Sequence, residues 1–449
     1  MYNSNNKQYI FKKSSNRIWN LLYDNKNGIC YSNLVRRNVW TMPMSLEKQA
    51  QESFSACMDS KDVLHIIYQN SHGNIFYLQL DETSITSLPM LSSKYPSLYN
   101  KYFKIISVKN NLHSFYVLHH KNKYLLTHQI ISNKEVKDPQ VLGYLNKNNL
   151  PYTVCTNKSG DIYLFYQTAS SGNLQQQTSA FQVGYKKYSS SNQLWEEFVS
   201  VPVINSKFDY PCVIIDNTDL IHFSYQKLVA DRYELSYRQK TAEGNNWSSE
   251  TTIHTSLNPF ENSSIICIDD RVIIFWVRND TIYYSYSIDK GGSWSKPAKY
   301  NFPIGRQLAC VSYSTNDFYE ISRISMNEIP GSLISGLKLA FYEDFFNNEN
   351  INENKEGLRN IITDSLKTFN ETLDGLIESN NNIKADIKRL KLFNTNILRE
   401  IDKLSIKINF LENQIKQKKI DAERDKVKII ETEFVEKSLI DNDFDKTEE

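Results

Sequence analysis

Three tyrosine-glutamine pairs recur at similar points of a repeated pattern in this chain of 449 residues, and each closes a short apolar run. The pairs are Tyr68 with Gln69, Tyr166 with Gln167, and Tyr225 with Gln226. An aromatic ring beside an amide suits carbohydrate, because the ring covers a C–H face of the sugar and the amide pairs with hydroxyls. The alternative is structural: the ring packs and the amide caps a strand end. We take these six residues as candidate ligand-binding residues and leave the alternative open.

Three histidines recur in the same runs, each directly after Leu or Ile: His65, His113 and His222. A metal-binding triad is one interpretation. Equivalent positions on successive repeats circle an axis and need not meet at one ion, so we favour a structural strand pattern. The six cysteines stand singly without a C-x-x-C pair, which indicates reduced core thiols. We therefore predict no metal and no cofactor.

The elements that carry these residues repeat along the chain. An apolar strand with an aromatic residue near its end is followed by a polar loop and a second strand. The closing aromatic residues lie 45 to 59 positions apart, which is typical of propeller blades. They are Tyr23, Tyr68, Tyr116, Tyr166, Tyr225 and Trp276. We predict an all-β propeller over residues 1–345.

The sequence leaves two possible blade numbers open. Seven blades are favoured, with six as the alternative. The seventh would use residues 309–325, in which "FYEIS" is interpreted as a strand, and the amino-terminal "QYIFKK" would help to close the ring. Cysteines upstream of the repeated runs are assigned to the innermost strands, where small apolar residues fit. These cysteines are Cys57, Cys155, Cys212, Cys267 and Cys310.

The stretch "YSYSIDKGGSWSKP" (residues 284–297) resembles the Asp-box of sialidase-like β-propellers. The matching positions are Ser287, Asp289, Gly291, Gly292, Ser293 and Trp294. The resemblance implies a turn between the outer two strands of a blade, in which Asp289 accepts backbone N–H bonds and Trp294 packs between sheets. It also implies that Asp289 is structural and lies on the face away from an active site.

Sialidase activity is the enzymatic alternative that the resemblance raises. A sialidase needs three convergent arginines, a Tyr–Glu nucleophile pair and an aspartic acid, and arginine is required because guanidinium pairs bidentately with carboxylate. The early Phe/Tyr-Arg-Ile-Pro motif usual in those enzymes does not occur here. The spacing of the arginines does not indicate convergence either. We therefore expect a non-catalytic member and name no catalytic residue.

The carboxyl-terminal quarter has a different composition. Residues 346–357 are predicted to be a polar linker, 358–418 a coiled-coil stalk, and 419–449 a frayed helix with an acidic disordered tail. The predicted seam runs from 362 to 415. Its principal contacts are Leu366, Leu373, Asn380, Ile383, Ile387, Leu390, Asn394, Ile397, Ile401, Leu404, Ile408 and Leu411. Buried asparagines favour parallel self-association. A dimer and a trimer remain alternatives, as does a helical hairpin turning at residues 379–383.

Composition restricts the partners and the location. Lys and Arg total 52 against 51 Asp and Glu, so a net charge of +1 does not favour nucleic acid or an anionic membrane. We see neither a signal peptide nor an apolar run long enough to span a bilayer. The default expectation is a cytoplasmic protein without membrane insertion. A spore coat or a phage particle surface is the other setting considered.

These observations favour a multivalent recognition or surface-assembly protein. Its propeller heads would bind glycan or a surface protein, and the stalk would join two or three copies, which converts weak contacts into avid binding. Two other functions stay open. One is a glycan-directed hydrolase of the sialidase type, and the other is a purely structural coat or phage-appendage scaffold.

Overall fold

The computed structural model divides the chain into two compact units, Met1–Asn348 and Glu349–Glu449, and each is taken by itself. The first unit consists of β-strands, and the second contains one long helix. The residues that the structure describes are 7–35, 38–82, 84–94, 96–121, 123–132, 135–145, 152–169, 181–202, 208–302, 308–342, 344 and 381–440.

The described strands of the first unit form six sheets, numbered here in chain order. Sheet 1 contains β1 (Lys7–Lys12), β2 (Ile18–Asp24), β3 (Gly28–Val35), β4 (Val39–Trp40) and β5 (Met44–Glu47). Sheet 2 contains β6 (Ala50–Met58), β7 (Leu64–Asn70), β8 (Ile75–Leu80) and β9 (Ile85–Leu91). Sheet 3 contains β10 (Lys104–Val108), β11 (Asn111–His120), β12 (Lys123–Ser132), β13 (Glu135–Val136) and β14 (Gln140–Leu145).

The next three sheets repeat this plan. Sheet 4 contains β15 (Tyr152–Thr156), β16 (Ile162–Ala169), β17 (Phe181–Ser189), β18 (Leu194–Trp195) and β19 (Val199–Ser200). Sheet 5 contains β20 (Phe208–Ile215), β21 (Leu220–Val229), β22 (Arg232–Thr241) and β23 (Thr251–Ser256). Sheet 6 contains β24 (Ser264–Ile268), β25 (Arg271–Arg278), β26 (Thr281–Ser287) and β27 (Ala298–Tyr300). Within each of these six sets of strands all pairings are antiparallel, and in sheets 2 to 5 the first strand is innermost.

The last strands of this unit close the ring instead of forming a seventh blade. They are β28 (Ala309–Thr315), β29 (Ile324–Met326), β30 (Ile329–Ser332) and β31 (Lys338–Leu339). Strand β28 pairs in parallel with β1, from Lys7↔Cys310 to Lys12↔Thr315, whereas β29 joins β24. The seven-blade expectation is thus corrected to the six-sheet alternative. The reason is that β28 satisfies the open inner edge of β1, where an unpaired strand edge would otherwise be exposed.

Six apolar clusters hold the sheets together, one between each neighbouring pair. Paired members of the clusters, in order around the ring, are Leu21 with Leu64, Ile67 with Tyr116, Phe115 with Leu164, Phe165 with Phe223, Leu235 with Ile274, and Phe275 with Ile10. The last cluster packs sheet 6 against sheet 1, so the ring is closed. A closed ring of radially repeated antiparallel sheets is the β-propeller architecture.

The turns between the first and second strand of each sheet define one face of the ring, called here the turn face. Two of these turns are built alike. Asp216 accepts N–H bonds from Thr218 and Leu220, and Asp59 accepts them from Lys61 and Val63. Such side-chain acceptors mimic a backbone turn, which explains why Asp begins both loops.

The second unit contains helix α1 (Asn381–Ile440). Its side chains are described for residues 390–419 and 424, and all of these are exposed in the single chain. The helix continues to Ile440 without a turn and so extends beyond residue 418. The alternative of a hairpin turning at residues 379–383 is not tested, because the residues before 381 lie outside the described part. The predicted contacts Leu366, Leu373, Asn380, Ile383 and Ile387, the linker 346–357 and the acidic end lie outside the residues or side chains that the structure describes. Among the described helical residues there is no segment apolar and long enough to cross a membrane.

Candidate functional site

The three candidate ligand-binding tyrosines lie inside the sheets. Tyr68, Tyr166 and Tyr225 are at most 4% exposed. Tyr68 Oη donates to Glu47 Oε2 at 3.2 Å, and Tyr225 Oη donates to Glu250. The rings are packed against neighbouring side chains and present no open face to a sugar. This placement is the one expected if the tyrosine rings serve packing within the sheets.

The glutamines Gln69 and Gln226 hydrogen-bond to the loops that connect their sheets to the next sheet. Gln69 Nε2 donates to Tyr99 O at 2.8 Å, and its Oε1 accepts a 2.6 Å bond from Lys101 Nζ. Gln226 Oε1 accepts the backbone N–H of Phe260 at 2.7 Å, and Gln167 is also buried. As placed, the Tyr-Gln pairs belong to the packed interior.

The recurring histidines are held within their own sheets and are not brought together. His222 lies between Tyr237 Oη, 2.6 Å from Nδ1, and Asp216 Oδ2, 3.3 Å from Nε2. His65 has the same arrangement with Tyr77 and Asp59. Burial alone would raise the pKa of Asp216, but hydrogen bonds from His222 and the turn backbone outweigh it and lower that pKa to about 2. His113 instead contacts His128, 3.0 Å between ring nitrogens.

The turn between β26 and β27 contains the Ser-x-Asp-x-Gly-Gly-Ser-Trp stretch. Asp289 accepts bonds from Ser287 Oγ at 2.7 Å, and from the backbone N–H and Oγ of Ser293 at 2.8 and 2.7 Å. These bonds lower the pKa of Asp289 to about 2. Gly291 has a φ of +95°, which requires glycine, and Trp294 packs edge-on against Tyr237 with ring centroids 4.8 Å apart. The side chains of Ser287, Asp289 and Ser293 in this turn hydrogen-bond to one another.

A segment that sequence patterns placed partly in a strand crosses the end of the central channel. Residues 316–323, called here the crossing segment, connect β28 to β29 on the turn face. Asn316 Nδ2 donates to Asp59 O and Asp62 Oδ1, both at 2.7 Å, at the first turn of sheet 2. At its other end, Arg323 forms a bidentate pair with Asp269 of sheet 6 at 2.7 and 2.8 Å. Ser322 O also accepts a bond from Asn217 Nδ2 in the first turn of sheet 5, so the segment is tied to turns of sheets 2 and 6 and to sheet 5, which lies opposite sheet 2 in the ring.

The centre of the crossing segment is fixed by buried charge. Glu320 accepts hydrogen bonds of 2.5 Å from Tyr313 and Tyr342 and pairs with Lys12. Lys12 Nζ also lies 3.2 Å from Asp317 Oδ2. Burial raises the pKa of Tyr313, and the neighbouring Tyr342 and Glu320 raise it further, so this hydroxyl stays a donor. Two carboxylates, one ammonium and two hydroxyls thus form one satisfied network beneath the surface.

The outer side of the same segment carries an uncovered apolar group, called here the aromatic turn: Phe318, Tyr319 and Ile321. Their exposed fractions are 84%, 76% and 53%. The two rings meet edge-to-face with centroids 5.7 Å apart. Asp317 fixes the backbone, because its Oδ1 accepts the N–H of Tyr319 at 2.9 Å. The site combines exposed rings with a backbone anchored by hydrogen bonds.

Sequence reasoning missed the aromatic turn because two adjacent aromatic residues favour a strand. The signal that could have found it is the preceding Asn316-Asp317, since Asn and Asp initiate turns by bonding to the backbone two residues on. The "FYEIS" strand prediction was therefore wrong for residues 318–322, which form turns closed by N–H bonds from Glu320 and Ile321 to Asp317 O.

Glu250 in the head lies beside a tyrosine, a lysine and an arginine. Glu250 accepts the Tyr225 hydroxyl, pairs with Lys227, and lies 3.8 Å from a guanidinium nitrogen of Arg238. Burial opposes ionisation of Glu250, but Lys227 and Tyr225 outweigh it and lower its pKa. An ionised glutamate beside tyrosine and arginine has the elements of a nucleophile pair, although Tyr225 is fully buried.

No family model and no curated protein sequence matches the chain. Solved structures with a similar architecture include an ulvan lyase of a new polysaccharide lyase family, with 10% identity, a TM-score of 0.49 and coverage of 73% of this chain and 92% of that chain. The BP39L lectin from Burkholderia pseudomallei has 12% identity, a TM-score of 0.47 and coverage of 63% and 80%. The Aleuria aurantia lectin, a six-bladed β-propeller that recognises fucose, has 12% identity, a TM-score of 0.39 and coverage of 66% and 95%. Scores of this size carry no argument about what the chain binds.

Proposed function

We propose that the protein is a non-catalytic, multivalent recognition or surface-assembly protein. Its propeller head binds a glycan or a protein through the aromatic turn, and its helices join several copies. The observation that carries this proposal is that Phe318 and Tyr319 are 84% and 76% exposed on a backbone held by a buried network.

The physical reason is the low entropic cost of binding at such a surface. Ligand affinity is reduced when side chains and loops must be ordered on contact. Here Asp317, Glu320 and Arg323 already fix the turn, so the rings of Phe318 and Tyr319 are presented without further ordering of the backbone. Exposed tyrosine and phenylalanine supply stacking faces for sugars and contact area for proteins.

Helix α1 supports the multivalent part of the proposal. Leu390, Ile397, Ile401, Leu404, Ile408 and Leu411 are all exposed, at fractions from 40% to 59%. They lie at heptad spacing, and an apolar seam of this kind is stabilised only when another helix covers it. A parallel dimer or trimer would cover the seam and pair Asn394 with its own copies. Two or three heads on one stem would then bind repetitive surfaces avidly.

The turn around Asp289 supports the Asp-box resemblance, because its hydrogen bonds and its position between the outer strands are those the resemblance implies. In this proposal Asp289 is structural.

The test is a glycan array probed with the full-length chain and with a Phe318→Ser, Tyr319→Ser variant. Leu257→Ser is the matched control, since Leu257 is a comparably exposed apolar residue (71%) elsewhere on the head. We expect binding that the double variant loses and the control keeps. For a protein ligand, a photo-crosslinking residue at 319 should give a discrete adduct that the same residue at 257 does not give. Absence of both signals would refute the proposal.

A sialidase-type hydrolase is the second candidate, favoured by the contact between Tyr225 and Glu250 beside Arg238. Fluorogenic sialosides test it directly. Turnover that Glu250→Gln abolishes would support the hydrolase, whereas turnover unchanged in that variant would exclude this pair.

A further inference from the structure

The innermost strands carry side chains that lie deep in the ring yet are only partly buried. Cys57 on β6, Lys104 on β10, Cys155 on β15 and Cys212 on β20 are each only partly buried, although their strands are flanked by packed sheets. Their accessible area at this depth indicates unfilled space beside the innermost strands. The channel therefore contains space, and four successive sheets contribute to its wall.

The charges along this wall do not balance. Lys7 Nζ pairs with Glu328 Oε1 at 2.5 Å, and Cys310 Sγ donates to the other oxygen of Glu328 at 3.4 Å. Lys104 has neither an ion pair nor a hydrogen bond in the part of the chain that the structure describes. Two ammonium groups thus face one carboxylate, and the carboxylate is taken by Lys7.

The other titratable groups around the channel do not supply the missing charge. Burial raises the pKa of the thiols of Cys57, Cys155 and Cys212, so they stay neutral. Burial likewise raises the pKa of Tyr9 and Tyr152, whose hydroxyls donate to the backbone oxygens of Phe54 and Tyr102. Among the described residues, no group of three His, Cys, Asp or Glu is arranged to hold a metal ion. The described wall of the channel is left with one excess positive charge, at Lys104.

We propose that the central channel binds a small carboxylate, whose oxygens pair with the ammonium group of Lys104. An uncompensated ammonium removed from bulk water is costly, and an anion of matching size recovers this cost. Weak S–H donors on the neighbouring strands suit the oxygens of such a ligand. This site is separate from the aromatic turn, and neither proposal depends on the other.

Burial, together with repulsion from Lys7, lowers the pKa of Lys104 to about 8. The ammonium form is therefore the main species at pH 7 and the minor one at pH 9. Carboxylate affinity should consequently fall as pH rises through this range.

The experiment is a thermal-shift and calorimetric titration of the full chain with sodium acetate at constant ionic strength set by chloride. Wild type should show saturable stabilisation at pH 7, weaker at pH 9. Lys104→Met should bind about tenfold more weakly or not at all, which is the loss expected for one charge-assisted contact. Lys299→Met, at an exposed lysine, is the matched control and should bind as wild type does.

Lys104→Arg keeps the charge and should retain acetate binding. This variant still tests the role of the charge if the methionine variant folds poorly. A parallel titration with glucuronate distinguishes a free small acid from the carboxylate of an acidic sugar. Stronger binding of glucuronate than of acetate would assign the sugar acid, and binding of acetate alone would assign the free acid. Identical responses of wild type and Lys104→Met to both compounds, or no response from either protein, would overturn the proposal.

Discussion

Tyr313 Oη donates a 2.5 Å hydrogen bond to Glu320 Oε2, and this contact joins the ring-closing strand β28 to the turn that carries Phe318. The same carboxylate pairs with Lys12 on β1, the strand beside β28. Closure of the ring and presentation of the aromatic turn therefore share one buried network. A change in this network should affect both stability and binding.

Replacing Lys12 with Met tests that coupling. The substitution leaves the carboxylates of Asp317 and Glu320 without their cation, and breaking a buried pair from one side costs about 3 kcal/mol. We expect the free energy of unfolding to fall by about that amount in urea denaturation followed by tryptophan fluorescence. All six tryptophans precede residue 295, so this signal reports the head. The control Lys299→Met should change stability by less than about 0.5 kcal/mol.

Replacing the two exposed rings of the aromatic turn should leave the stability of the head unchanged. Phe318→Ser with Tyr319→Ser exchanges exposed rings for small polar groups and leaves Asp317, Glu320 and Arg323 in place. We expect the urea midpoint to stay within experimental error of wild type, since exposed side chains contribute little to folding. A large loss of stability would show that the rings are part of the fold and would contradict their assignment as a binding surface.

Much of the fold was predictable because it is encoded locally. The run Ile18–Asp24 forms β2 as expected, and the aromatic-ending strands fall at one per sheet because each sheet repeats the same hairpin chemistry. The six-sheet count was not predictable in this way. It depends on the parallel pairing of β1 with β28, about 300 residues apart, and no local pattern encodes so distant a pairing.

The candidate site was less predictable than the fold. The sequence located the strand ends at Tyr68 and Tyr225 correctly, but the direction of a ring depends on neighbours such as Glu47 and Glu250, which lie 21 and 25 residues away. The aromatic turn could not be recognised as exposed, because exposure is set by the anchors of Asn316 and Arg323 in other sheets. The pattern of apolar residues in the sequence identifies side chains that can pack in a core, but it does not identify which apolar side chains remain exposed.

Asp216 should make stability depend on acid pH. Its pKa is lowered from 3.8 to about 2 in the folded chain, so the folded state favours the ionised form. This contribution of about 2 kcal/mol is fully present above pH 4 and is lost as pH falls through about 2. Asp216→Asn should therefore be less stable than wild type at pH 6, and the difference should shrink towards pH 2. Urea midpoints measured at several pH values check this, with Asp231→Asn at an exposed turn as the control.

Self-association through α1 is tested by two serine substitutions in the predicted seam. Ile401→Ser with Ile408→Ser places hydroxyls at two stacked seam positions, and burying an unpaired hydroxyl costs about 1–3 kcal/mol each. We expect light scattering to give a dimer or trimer mass for wild type and a monomer mass for the double variant at micromolar concentration. Ile406→Ser is the matched control, because Ile406 is a comparably exposed isoleucine (69%) between the two that lies off the seam. A wild-type monomer, or equal dissociation by Ile406→Ser, would show that the heptad pattern does not define an interface and that the heads act singly.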